Sequence, residues 1–131
     1  MKRIEVVAAL IKSEHKILCV QRPKHSKAYI SLKWEFPGGK IELGETKVEA
    51  LKREVKEELA LDIDEVQYQM TVEHSYPDFH LSMDIFSCSV SSGEISLNEH
   101  VAMKWSAVSE LTQLDWAAAD IPVVEYLQTS F

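Results

Sequence analysis

Glu54, Glu57 and Glu58 recur at a spacing of three and four. On a helix wheel with Glu54 at 0°, Glu57 falls at about 300° and Glu58 at about 40°. The three carboxylates then share one face about 100° wide. Carboxylate oxygens are hard donors that suit Mg²⁺ or Mn²⁺. A cation held this way and left open to water bridges phosphate oxygens and favours ionisation of a water nucleophile. The arrangement has a cost, because Glu54 and Glu58 form a like-charge i,i+4 pair that destabilises a helix by about 0.2–0.5 kcal/mol. Acidic charge in the C-terminal half also opposes the helix dipole. Lys52 and Arg53 soften the repulsion without cancelling it. The competing reading is a solvated charged face knit by pairs such as Glu49–Arg53. Gly38-Gly39, shortly before the helix, weighs toward a site. Glycine has no Cβ, so a backbone carbonyl and a ligand can approach closely there.

The elements that must position these residues are legible. Thr46 and Glu49 form a capping box that opens a helix running to about Ala60. Val48, Leu51, Val55 and Leu59 make its apolar stripe, centred near about 105°, beside the acidic face. Residues 4–11 and 17–21 read as two strands joined by a polar turn, a candidate hairpin. Residues 22–33 are basic and irregular, and residues 34–36 form a short strand leading into Pro37-Gly38-Gly39. Strands are expected over 66–74, 80–90 and 101–108, with turns at Tyr76-Pro77-Asp78 and Ser91-Ser92-Gly93. Ser109 is placed to cap a short helical turn through Leu114, and residues 121–127 read as a C-terminal helix. This order predicts an α+β fold, a layered α/β/α domain with a mixed sheet.

The chain has 131 residues, with 14 basic and 21 acidic side chains and a net charge of −7. That length predicts a single domain over 1–131. Hydrophobic residues at 46% and charged residues at 27% exclude a disordered chain. Cys19 and Cys88 both lie in apolar runs and read as buried free thiols. No run approaches the roughly 18 apolar residues of a membrane span. The apolar run 6–11 is too short for a signal-peptide core, so the expected location is the cytoplasm, with no membrane partner. The acidic balance argues against polymeric nucleic acid as a partner and leaves open a small polyanion bound through metal.

Gly39, five residues, Glu45, seven residues, then Arg53-Glu54-Val55-Lys56-Glu57-Glu58 resembles the signature of the Nudix hydrolase family. Eight of its nine fixed or restricted positions fit, with Leu61 in the last apolar slot and Ala60 where the family usually has glycine. Trp34-Glu35-Phe36-Pro37-Gly38-Gly39-Lys40, the start Ile4 to Ala9 and Ala119-Asp120-Ile121-Pro122 are similar to the MutT-like branch. That branch includes enzymes acting on oxidised guanine nucleotides and a relative acting on CTP and modified dCTP.

The resemblance implies a Nudix-type α/β/α sandwich with a catalytic loop–helix–loop. It implies Mg²⁺-dependent hydrolysis of a nucleoside triphosphate to the monophosphate and pyrophosphate, with Mn²⁺ as a substitute, in nucleotide-pool sanitation. Glu54, Glu57 and Glu58 would bind metal with the Gly38 carbonyl, and Glu99 aligns with a further acidic ligand. One glutamate, Glu54 in the first instance, would orient or deprotonate the attacking water. Arg53, Glu45 and Gly39 belong to the structural part of the box, and Arg22 matches an arginine that contacts nucleotide phosphate. A non-catalytic nucleotide-binding or regulatory module is the alternative. Such modules typically lose box glutamates, which this chain retains. The expected assembly is a monomer or weak homodimer.

Asp120 bears on base choice. The oxidised-guanine enzymes carry asparagine at the matching place and the CTP-type relative carries aspartate. An ionised carboxylate only accepts hydrogen bonds. It can accept from the cytosine amine, from guanine N–H groups, or from the first N–H groups of a helix as a cap. Phe36 and Tyr76 can stack on a base or fill the core. Trp34, Trp105 and Trp116 read as core. His15, His25, His74, His80 and His100 lack ligand spacing and read as surface or strand residues. Lys24, Lys27 and Lys33 either help phosphate approach or are simply solvated.

Overall fold

The computed structural model describes residues 1–130. Its strands are β1 (Lys2–Ser13), β2 (Lys16–Gln21), β3 (Trp34–Glu35), β4 (Gly38–Lys40), β5 (Asp62–Ser75), β6 (Phe79–Ser92) and β7 (Ala102–Ala107). Helix α1 covers Lys47–Leu59 and α2 covers Ile121–Ser130, with 3-10 segments at Val108–Gln113 and Ala118–Asp120.

β1 organises the fold. It runs parallel to β6 from Lys2↔Phe79 to Lys12↔Ser89. Its other edge is shared, pairing antiparallel with β4 at Val6–Ala8 and with β2 only at Lys12 and Ser13. β2 continues outward to β3 and β7, and β5 closes the opposite edge beside β6. The sheet is therefore mixed, as expected. The hairpin between β1 and β2 is present, but only its turn end is paired, because the middle of β1 is given to the Gly-Gly strand.

Alternation along β1 divides the core. Val7, Ala9 and Ile11 face the layer of α1, packing with Leu51, Val55, Leu59 and Leu18. Ala8 and Leu10 face the other way, toward Val123, Val124 and Leu127 of α2 and Leu111. Two cores on the two faces of one sheet make the α/β/α sandwich. Trp116 is buried, while Trp34 and Trp105 pack at the margins of the cores. Cys19 and Cys88 are buried free thiols.

Helix α1 begins at the expected capping box: Thr46 Oγ1 accepts the Glu49 N–H, and Glu49 accepts the Thr46 N–H. It ends on Ala60 in the left-handed conformation, φ 59°. The stripe differs from expectation at one position. Val48 in the first turn is exposed, and Ala50 is buried instead. On the wheel Ala50 lies on the far side of the Glu54–Glu58 row from Leu51 and Val55. Buried residues thus bracket that row and draw it inward.

Three further details differ. β5 and β6 are longer than expected, since their pairing extends through bulges to both ends. Ser109 caps nothing: the 3-10 segment Val108–Gln113 starts behind Ala107 without a side-chain cap. α2 runs on to Ser130.

Candidate active site

Strand β4, helix α1 and the segment before β7 converge on one end of the sheet. The Gly38 N–H donates to Glu58 Oε1 at 3.2 Å. A Cβ on Gly38 would lie 2.0 Å from the Val7 carbonyl oxygen, and one on Gly39 would lie 2.4 Å from the Glu54 carboxyl. A Cβ at position 38 would collide with backbone, whereas one at position 39 would displace a site carboxylate.

Glu54, Glu58 and Glu99 each present a carboxylate oxygen to one locus, all within 4.8 Å of one another. Glu58 is buried, Glu54 half-buried and Glu99 exposed. Burial pushes the Glu58 carboxyl up to about 9, with Glu35, Glu54 and Glu99 adding repulsion and the Gly38 N–H partly offsetting it. Burial also raises Glu54, opposed by Arg53 and reinforced by Glu57 and Glu99. An all-oxygen acidic set with too little nearby positive charge fits a hard divalent cation, which would relieve this repulsion.

Arg53 ties the box together. Its Nε and Nη2 donate to both oxygens of Glu45 at 2.6 and 2.9 Å, and Nη2 also donates to the Lys40 carbonyl at 3.0 Å. Nη1 reaches Glu54 Oε1 at 2.9 Å and Glu57 Oε2 at 3.3 Å. Arg53 and then the Glu42 N–H hold the Glu45 carboxyl down at about 2. Glu57 is exposed and stands on the Arg53 side of the helix, outside the group formed by Glu54, Glu58 and Glu99.

A cavity of about 680 Å³ is lined by Glu54, Glu58, Glu99 and Asp120. Arg22, Phe36 and Tyr76 also line it. Phe36 is buried and stacks on Trp116, with ring centroids 4.6 Å apart. Tyr76 stacks on Tyr29 at 5.2 Å, and its hydroxyl accepts the Ala119 N–H at 3.0 Å. Asp120 is 4% exposed, and its Oδ1 has no hydrogen-bond partner among the described residues. Burial drives its carboxyl well up, Glu35 adds to this, and the Phe36 N–H and Arg22 oppose it. A buried, partly unsatisfied carboxyl in the cavity wall is available to hydrogen-bond a ligand.

Two features in and behind this wall were not legible in the sequence. Tyr29, in the irregular segment, becomes part of the cavity. His100 is the exception to surface histidines: it is buried, and its Nε2 lies 2.9 Å from Glu35 Oε2. Only its place next to Glu99 could have singled it out. Of the basic segment, Lys27 pairs with Asp78 and Lys33 with Asp115 at 3.0 Å.

The chain matches the NUDIX domain family over residues 1–127. It is 36% identical over 125 residues to the CTP pyrophosphohydrolase of Escherichia coli K12, covering 95% of this chain and 91% of that protein. It is 29% identical over 128 residues to the 8-oxo-dGTP diphosphatase of the same strain, covering 98% of each. The solved structure of the E. coli ORF135 protein superposes with a TM-score of 0.82 at 36% identity, over 98% of this chain and 91% of that one. MutT of the Nudix hydrolase family from methicillin-resistant Staphylococcus aureus 252 superposes with a TM-score of 0.77 at 41% identity, over the whole of both chains. The chain belongs to the Nudix family. Within it, the chain is a hydrolase of MutT type.

Proposed function

We propose that this chain hydrolyses nucleoside triphosphates to monophosphate and pyrophosphate with Mg²⁺, or Mn²⁺ in its place, and acts on free nucleotides in the cytoplasm. The observation that carries this reading is the convergence of Glu54, Glu58 and Glu99 in a cavity that Asp120 also lines. Bound metal supplies neutralisation of phosphate charge and a more acidic water. The Gly38 carbonyl and Glu57 complete the candidate ligand set. Glu54, already hydrogen-bonded by Arg53 at one oxygen, orients or deprotonates the attacking water with the other. Arg22 meets the phosphates as they enter, and Phe36, Tyr76 and Asp120 form the base end.

The substrate is 8-oxo-dGTP, or CTP, dCTP and modified dCTP. The relatives named for these two activities support the pair, as does Asp120. When protonated, Asp120 donates and accepts as an amide does. When ionised, it only accepts, as a cytosine amine requires. The test is pyrophosphate release from 8-oxo-dGTP, CTP, dCTP and 5-methyl-dCTP with Mg²⁺, repeated with Glu58→Gln and Glu57→Gln. The expected result is cleavage of at least one nucleotide. Each variant should lose about 10²-fold or more of kcat, the scale of removing one catalytic group. Cleavage of none by the unmodified protein, or full activity in both variants, overturns the reading.

A further inference from the structure

His100 stands behind the cavity wall, and neither it nor Glu35 belongs to the group formed by Glu54, Glu58 and Glu99. His100 Nε2 is 2.9 Å from Glu35 Oε2, and Glu35 Oε1 is 3.3 Å from Arg22 Nη1. A carboxylate only accepts, so Nε2 carries the proton, and the other ring nitrogen, Nδ1, is buried and without a hydrogen-bond partner among the described residues. Glu35 and Arg22 line the cavity. Glu35 has acidic neighbours on two sides, contributing repulsion to both Glu58 and Asp120. A side chain so placed keeps its orientation only if a donor holds it.

We infer that His100 is a positioning residue for nucleotide binding: by fixing one oxygen of Glu35 it aims the other at Arg22 and so holds the guanidinium at the phosphate end of the cavity. The inference rests on the phosphate role of Arg22 given above. A competing role, placing the neighbouring Glu99, is already filled by other bonds. The Asn98 N–H donates to the Glu58 carbonyl at 3.0 Å, and Asn98 Nδ2 donates to the Glu57 carbonyl at 2.9 Å. On the other side the Val101 N–H donates to the Gln21 carbonyl at 3.0 Å. The segment carrying Glu99 is thus tethered to α1 and β2 through bonds that do not involve the imidazole. What the imidazole alone supplies is a donor to Glu35.

The experiment compares the unmodified protein with His100→Leu, His100→Gln, Arg22→Ala and the His100→Leu/Arg22→Ala double variant. Affinity for non-hydrolysable α,β-methylene analogues of CTP and dGTP is measured by calorimetry with Mg²⁺. Steady-state kinetics on the cleaved nucleotide and Mn²⁺ binding without nucleotide, by electron paramagnetic resonance, complete the set. His100→Leu should weaken analogue binding and raise KM about tenfold, the effect of one hydrogen bond to a charged group. Its kcat should stay within about threefold, and Mn²⁺ affinity should not change. Added to Arg22→Ala it should cost nothing more, because the two act in series. His100→Gln, which keeps an N–H donor, should recover most of the loss. Glu35→Gln should raise KM as His100→Leu does and carries the test if the leucine variant fails to fold. Additive losses, lowered Mn²⁺ affinity in His100→Leu, or an unchanged KM in both His100→Leu and Glu35→Gln overturn the inference while leaving the hydrolase reading intact. An unmodified protein that neither binds nor cleaves any of these nucleotides overturns both.

Discussion

The Gly38 N–H donates to Glu58 Oε1 at 3.2 Å, so the buried end of the acidic row is held by the strand that pairs with β1. Two consequences meet in that bond. It points the carboxyl into the site, and it is too weak a compensation for burying the charge, since the carboxyl stays up at about 9. An acid whose folded pKa is raised destabilises the fold progressively as pH climbs from the unfolded value near about 4.5 toward the folded one. Glu58→Gln keeps an acceptor for the Gly38 N–H and removes the charge. It should melt higher than the unmodified protein at pH 8 without metal, by about 5 °C. The gain should shrink toward pH 5, and added Mg²⁺ should stabilise the unmodified protein but not the variant. Thermal denaturation with and without Mg²⁺ at both pH values checks this. A variant that melts lower at pH 8 would contradict the account.

The two adjacent glycines should fail differently. A Cβ on Gly38 meets the Val7 carbonyl and the Ala8 Cα, both backbone, in the pairing of β1 with β4. Gly38→Ala must separate those strands and should lose several kcal/mol of stability, on the scale of overpacking a core. A Cβ on Gly39 meets only the end of the Glu54 side chain. Gly39→Ala should therefore remain folded, push Glu54 off its position and lose about 10²-fold in kcat. Melting temperature and activity, measured on both, should separate cleanly.

Glu45 should supply the acid limit of stability. Its carboxyl is held at about 2 by the two bonds from Arg53 and by the Glu42 N–H. A depressed carboxylate contributes stability that is complete above its unfolded value near about 4.5 and is lost as pH falls through the folded value. The melting temperature of Glu45→Gln should fall below that of the unmodified protein at pH 6, and the gap should close on approaching pH 2. A gap independent of pH would assign the role of Glu45 to packing rather than to charge.

What the sequence reveals here follows from how local each feature is. The capping box is a property of one helix and is found as read, whereas of the three box glutamates Glu54 and Glu58 meet at one locus and Glu57 pairs with Arg53 outside it. The hairpin was legible, but not that β1 spends its middle on β4, because that choice depends on Gly38 and Gly39 letting backbone approach backbone. Val48 fits the helical period yet lies outside the core, since period alone does not say where the sheet surface ends. Glu35 and His100 are 65 residues apart and make one bond. Neither carries a spacing signal, so only the fold joins them.

Ala60 offers a gain in stability. It closes α1 with φ 59°, a conformation that costs a residue with a Cβ about 1 kcal/mol relative to glycine. Ala60→Gly should raise stability by about that amount, which is about 3–6 °C for a chain between the small and larger domain classes. Activity should stay unchanged, because the residue lies beyond the acidic row. Denaturant titration checks the free energy, and loss of stability in the glycine variant would contradict the assignment of strain to this residue.

The identity of the base should turn on Asp120. Its Oδ1 lacks a partner among the described residues, and burial favours the protonated carboxyl. A cytosine amine brought against it donates, which favours the ionised form. An oxidised guanine presents both carbonyl acceptors and N–H donors, which suits a group that donates and accepts together. Asparagine is such a group at every pH and cannot become a pure acceptor. Asp120→Asn should therefore shift the ratio of kcat/KM for CTP to that for 8-oxo-dGTP toward 8-oxo-dGTP. A factor of about ten or more is expected, the value of one mismatched hydrogen bond in a buried site. The same ratio measured for the unmodified protein should drift toward cytosine as pH rises, because ionisation leaves only acceptors. The Asp120→Asn ratio should not move with pH. A ratio that is unchanged by the substitution and flat in pH for both proteins would remove Asp120 from base recognition.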